Sequence, residues 1–128
     1  MLPHASPTVM SWLDRQPSAE LFLTTITLAE LLFGVAILPE GKRRDKLSYT
    51  IDRLENRIFV DRILPFDTEA AHTYAELCAR ARANGQRLEG ADPQIAAIAL
   101  ARGCPVATRD VTPFRTAGVE VINPWEIA

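Results

Sequence analysis

An α/β fold with a mostly parallel sheet and helices on both of its faces is what this sequence predicts, on three observations. Short apolar runs alternate with longer segments of helical periodicity, the links between them are short, and helix-ending residues such as Pro39, Asn84-Gly85 and Gly103 stand between the periodic segments. Strand–helix–strand order with short connections places consecutive strands side by side in the same direction, and such a sheet needs cover on both faces.

The elements follow in order. Val9, Trp12 and Leu13 share one helical stripe in a segment from Thr8 to Gln16, which Pro17-Ser18 ends. Leu21 to Ile26 is short, apolar and β-branched toward its end, so it reads as a buried strand. Thr27 then opens a helix to about Leu38, closed by Pro39 and Gly41. A polar helix over Lys42 to Asn56 carries Leu47, Ile51 and Leu54 on one stripe. Ile63-Leu64-Pro65-Phe66 reads as an edge strand, since Pro cannot donate to a central ladder. Asp67 caps a helix over Thr68 to Ala83, and Asn84-Gly85 ends it. A further helix starts near Asp92-Pro93 and runs to Arg102. Pro105 to Thr108 and Val119 to Ile122 are the last strands, joined by a turn-rich link.

At 128 residues the chain is expected to be a single domain, residues 1–128, around one core. A hydrophobic fraction of 48% and a charged fraction of 23% are those of a soluble protein. Met1 to Ser11 has no basic start followed by a continuous apolar run, which argues against a signal peptide and for a cytoplasmic location. A formal net charge of −2 argues against a protein that coats nucleic acid by bulk attraction, though not against one that touches a few phosphates. Cys78 and Cys104 have neither zinc-site nor redox-pair spacing and read as small buried hydrophobes. Lys42-Arg43-Arg44 and Arg80, Arg82 and Arg87 read as solvated helix faces.

Three acids stand where apolar runs end or helices begin: Glu30, Asp92 and Asp110. In an alternating α/β chain those positions share one rim of the sheet, where such folds keep their chemistry. Each also has a plain structural explanation. Thr27-Leu28-Ala29-Glu30 fits a capping box, Asp92-Pro93 fits an N-cap followed by Pro, and Asp110 fits an Asx turn at a strand end. Against the capping box, a carboxylate on a helix that is apolar almost all round is costly unless paired. Arg109 fits a phosphate contact or an ion pair with a neighbouring acid, and His4 and His72 have no spacing suited to a metal.

Five ordered segments give these acids a context: Thr25-Ile26-Thr27-Leu28-Ala29-Glu30-Leu31-Leu32-Phe33-Gly34-Val35, Ile63-Leu64-Pro65-Phe66-Asp67, Ala91-Asp92-Pro93-Gln94-Ile95-Ala96-Ala97-Ile98-Ala99, Ala107-Thr108-Arg109-Asp110 and Val121-Ile122-Asn123-Pro124-Trp125. In order and spacing the chain resembles the PIN-domain toxins of the VapC and FitB type, over essentially its whole length. The resemblance implies a Mg²⁺- or Mn²⁺-dependent ribonuclease from a bacterial toxin–antitoxin pair, with RNA as substrate, a cognate antitoxin as partner and a homodimer built around the helices from Leu28 to Asn56. It also implies that Glu30, Asp92 and Asp110 are the second, third and fourth metal-site acids, with Thr27 either orienting Glu30 or capping its own helix.

The departure is at the front. Family members begin with a short strand ending in Asp-Thr-Asn or a close variant, whose Asp is a central metal ligand, whereas Met1-Leu2-Pro3-His4 matches the stretch beyond that strand and its following helix. Asp14, late in a helix, does not replace it. A sheet without this strand should show an edge or gap beside Leu21 to Ile26. Three readings follow: a ribonuclease toxin whose true start lies upstream, a truncated, catalytically impaired remnant that only binds an antitoxin or itself, and an unrelated α/β module whose acids are caps.

Overall fold

The computed structural model describes residues 21–107 and 111–122. The predicted helix over Thr8 to Gln16 lies outside them, as do Thr108, Arg109, Asp110 and His4. Four two-residue strands and five helices alternate among the described residues: β1 Leu23–Thr24, α1 Thr25–Ala36, α2 Lys42–Arg53, β2 Ile63–Leu64, α3 Thr68–Ala83, α4 Asp92–Arg102, β3 Val106–Ala107, α5 Val111–Thr116 and β4 Val121–Ile122. Both pairings are parallel, β1 with β2 (Leu23 opposite Ile63) and β3 with β4 (Val106 opposite Val121). The fold class is therefore α/β with a parallel sheet, as the alternation predicts.

That sheet is in two pieces among the described residues, β1–β2 and β3–β4. Each piece has its own apolar cluster. Leu23, Leu28, Leu31, Ile51 and Leu54 pack β1 against α1 and α2, with Val35, Phe59 and Ile63 at the margin. Leu77, Ala96, Ala97, Ala99, Phe114, Ala117 and Val119 join α3, α4 and α5 over β3–β4. Ala96, Ala97 and Ala99 of α4 are buried in the cluster shared with Leu77 of α3.

The helix ends show where sequence logic holds and where tertiary context overrides it. Asp67 caps α3 as predicted: its Oδ1 accepts from Ala70 N–H at 2.9 Å, and its Oδ2 accepts from Arg102 Nη2 at 3.1 Å, tying the start of α3 to the end of α4. Gly103 ends α4 with φ 66°, the left-handed conformation that a residue without a Cβ adopts at least cost. The strand expected over Leu21 to Ile26 is cut to Leu23–Thr24, and α1 starts at Thr25. The predicted α2 helix ends at Arg53 and continues as one π-helical turn, Leu54–Ile58. In place of the expected turn-rich link, Val111–Thr116 forms α5; Pro113 sits in its first turn, where a missing N–H costs little.

Candidate functional site

Glu30 is the sixth residue of α1, so it is not at a capping position. The cap is Thr24, three residues earlier than predicted: its Oγ1 accepts from Thr27 N–H at 3.0 Å and donates to Thr27 Oγ1 at 3.0 Å. The capping box read into Thr27 and Glu30 does not form. Nor is Glu30 buried, so the argument from a costly carboxylate on an apolar helix fails: its side chain is exposed. Only Leu28 and Leu31 of α1 are buried, which leaves the opposite face open to solvent.

Asp92 is the first residue of α4, and Ala91 holds the cap position without a side-chain hydrogen bond. Asp92 is thus not the N-cap that Asp92-Pro93 suggests. Pro93 is wholly buried in the first turn of the helix, which begins at Asp92. Asp110 lies outside the described residues, so its Asx-turn and metal-site readings are equally untouched by the structure.

Two clefts border these acids. A cleft of about 500 Å³ separates the half-sheets; Leu23 and Thr24 line it from β1, Thr27 from α1, Ile95 and Ile98 from α4, and Val106 and Ala107 from β3. Glu30 is one helical turn beyond Thr27, and Asp92 one turn before Ile95, so each acid shares a helix face with a residue lining this cleft. Asp110 follows Ala107 by three residues in sequence. A second, polar cleft of about 430 Å³ has Asp92 in its wall with Gln86, Arg87, Glu89, Thr112 and Thr116. Arg87 Nε pairs there with Glu89 Oε1 at 3.0 Å, both side chains exposed.

No group of three or more His, Cys, Asp or Glu side chains arranged to hold a metal occurs among the described residues, a set that contains two of the three predicted acids. The donor chemistry of those two fits a hard divalent cation, which takes carboxylate oxygens and keeps several waters. Cys78 and Cys104 are free thiols and half-buried rather than buried. Lys42, Arg43, Arg80 and Arg82 are exposed on their helices, whereas Arg44 is half-buried and Arg87, exposed, lies in the loop beyond α3 rather than on a helix face; His72 is exposed on α3. The residues that sequence reasoning missed are Thr24 and the loop carrying Gln86, Arg87 and Glu89. Thr24 carries a visible signal, a Thr three residues before another Thr at a strand end; the loop carries none.

Comparison with known proteins gives this geometry its family. The PIN domain model matches residues 4–119. The chain belongs to the PIN domain family. The plasmid stability protein StbB of Pseudomonas syringae pv. tomato is 50% identical over 118 residues, covering 92% of this chain and 85% of that protein. The VapC ribonuclease Y4jK of Sinorhizobium fredii is 46% identical (94% and 86% covered), and toxin FitB of Neisseria gonorrhoeae is 39% identical (96% and 88%). A structure of FitAB bound to the IR36 DNA fragment superimposes with a TM-score of 0.90 at 37% identity, covering 98% of this chain and 88% of that one. Within the family, the chain is thus a homologue of the VapC and FitB toxins, and this membership overturns the reading of it as an unrelated module.

Proposed function

We propose that this protein is the ribonuclease toxin of a toxin–antitoxin pair, a Mg²⁺- or Mn²⁺-dependent endoribonuclease whose metal-holding acids are Glu30, Asp92 and Asp110. The observation that carries the reading is placement: Thr24 rather than Glu30 caps α1, Asp92 is not the cap of α4, and both acids stand one turn from residues lining the same cleft. The likeness to a VapC ribonuclease and to toxin FitB supports the activity, and the FitAB complex supports a protein partner.

Glu30 and Asp92 would hold the cation through carboxylate oxygens, with Asp110 as the third ligand. A bound divalent cation supplies an activated water and offsets charge on the phosphodiester. Thr27 Oγ1 accepts a hydrogen bond from Thr24, which leaves its own proton to donate toward an acceptor in the cleft. Arg87, in the wall that includes Asp92, is placed to meet an RNA phosphate once it leaves Glu89. The open face of α1, with Phe33 and Ile37 each 66% exposed and Leu32 beside them, offers the apolar surface that an antitoxin or a second copy would cover.

A second reading, a binding module that pairs with an antitoxin or with itself and cuts nothing, has its own observation: no Asp-Thr-Asn run occurs in residues 1–20. RNA cleavage assayed with Mg²⁺ and with chelator, on this chain and on one extended by an apolar strand ending in Asp, separates the two. The enzyme reading expects chelator-sensitive cleavage that rises sharply on extension. Absence of cleavage in both forms would leave only the binding module, which co-purification with the cognate antitoxin would then reveal.

A further inference from the structure

The outward face of α2 is sorted by charge. At about 100° per residue, Lys42, Lys46, Tyr49 and Arg53 fall on one stripe, opposite the side on which Ile51 packs into the cluster with Leu28 and Leu31 of α1. All four are exposed, Tyr49 at 64%. Asp45 and Asp52 lie together on a neighbouring flank, and no acid stands within the stripe. No carboxylate pairs with Lys42, Lys46 or Arg53 among the described residues. The Arg53 guanidinium lies over the Tyr49 ring, 6.0 Å from its centroid. The helix itself gains little from this order. Lys42 stands in the first turn, beside N–H groups that no side chain caps, where a cation is disfavoured, and it repels Lys46 at the i, i+4 spacing. A solvated face interleaves opposite charges at that spacing, whereas this one separates them.

We propose that this face of α2 holds single-stranded RNA, with phosphates on Lys42, Lys46 and Arg53 and one base stacked on Tyr49. Cations interleaved with an exposed aromatic ring suit an unpaired strand: the charges follow its backbone, and the ring takes the flat face of any base. A double helix keeps its bases stacked on one another and offers the ring nothing, and an acidic polypeptide would use the cations alone. At a rise of ~1.5 Å per residue the stripe runs about 17 Å along the helix, which serves a length of strand rather than one phosphate. The contact of Arg53 with Tyr49 is already formed, so less freedom is lost when a base arrives. The choice of RNA rests on the ribonuclease reading. The stripe does not, since it holds none of Glu30, Asp92 and Asp110, and it adds affinity for the strand without touching the reacting phosphodiester.

The test titrates the full chain, with chelator present so that no cleavage intervenes, into a fluorescein-labelled oligo(U) strand of about twelve nucleotides, and reads binding by anisotropy. Tyr49→Ala should weaken binding about tenfold, while Tyr49→Phe, which keeps the ring, stays within about twofold of the parent. Lys42→Gln and Lys46→Gln should each weaken binding and each lower the slope of log affinity against log salt by about 0.7. All four variants change exposed side chains, so circular dichroism should match the parent. Three results would overturn the inference: no saturable binding, equal affinity for Tyr49→Ala and the parent, or displacement of the RNA by oligo-glutamate as effective as by unlabelled oligo(U). The last would assign the stripe to an acidic polypeptide. A strand that binds through Tyr49 and is never cut with Mg²⁺ present would defeat the nuclease reading and leave this one standing. RNA that is cut, with Tyr49→Ala binding it as the parent does, would defeat this one alone.

Discussion

Thr24 carries more of the local structure than either acid near it. Its hydroxyl accepts from Thr27 N–H and donates to Thr27 Oγ1, so Thr24→Ala should lower stability by about 1 kcal/mol, within the ~0.5–2 range for lost N-caps, measured by urea denaturation. Thr27→Ala removes no cap and should cost less, while leaving Glu30 without a neighbouring hydroxyl. Asp92→Asn keeps shape and removes charge. Asp92 is not the cap of α4, so its replacement should remove the ~0.3–1 kcal/mol that a carboxylate contributes beside a helix N-terminus and leave the fold intact, yet reduce RNA cleavage by orders of magnitude. Arg87→Ala, on an exposed loop, should leave stability within about 0.5 kcal/mol and weaken RNA binding. Equal RNA affinity for that variant and the parent would remove Arg87 from the substrate path.

At the scale of elements, legibility followed local chemistry. Asp67 was readable because an Asp before an amphipathic run has one common use, and α3 spans the predicted Thr68–Ala83. Thr27 reads as the cap and β-branched Ile26 favours a strand, but packing of Leu28 and Leu31 on β1 decides for a helix from Thr25, capped by Thr24. Val111-Thr112-Pro113 reads as a breaker, and α5 forms because Phe114 and Ala117 complete the cluster over α4. Nothing local encodes the loop from Gln86 to Glu89 that walls the polar cleft, because that wall is completed by residues far apart in sequence. The packing of α3 against α4 gives a direct test. Ala97 is wholly buried, so the added methylenes of Ala97→Leu must displace core neighbours and should destabilise by about 1–3 kcal/mol in thermal or urea denaturation.

At the scale of the molecule, two apolar clusters share one chain and α4 spans the gap between them. Ile98, 1% exposed, lies on the cleft floor, and Ile98→Ala should cost about 2–5 kcal/mol. If the clusters unfold as separate units, hydrogen exchange will give Leu77 and Ile51 different opening free energies. The family and the parallel α/β class were legible from five segments of sequence. Which face of α1 is buried was not, and it leaves Leu32, Phe33 and Ile37 open for the partner that the toxin reading requires.

Metal binding tests that reading most directly, because it depends on the acids and not on RNA sequence or on turnover. Mn²⁺ titrated into the full chain, followed by calorimetry or by its paramagnetic resonance signal, should show a saturable site that Asp92→Asn and Asp110→Asn each weaken at least about tenfold, or about 1.4 kcal/mol, with the fold retained by circular dichroism. Mn²⁺ affinity unchanged in both variants would contradict the assignment of Glu30, Asp92 and Asp110 as a metal site.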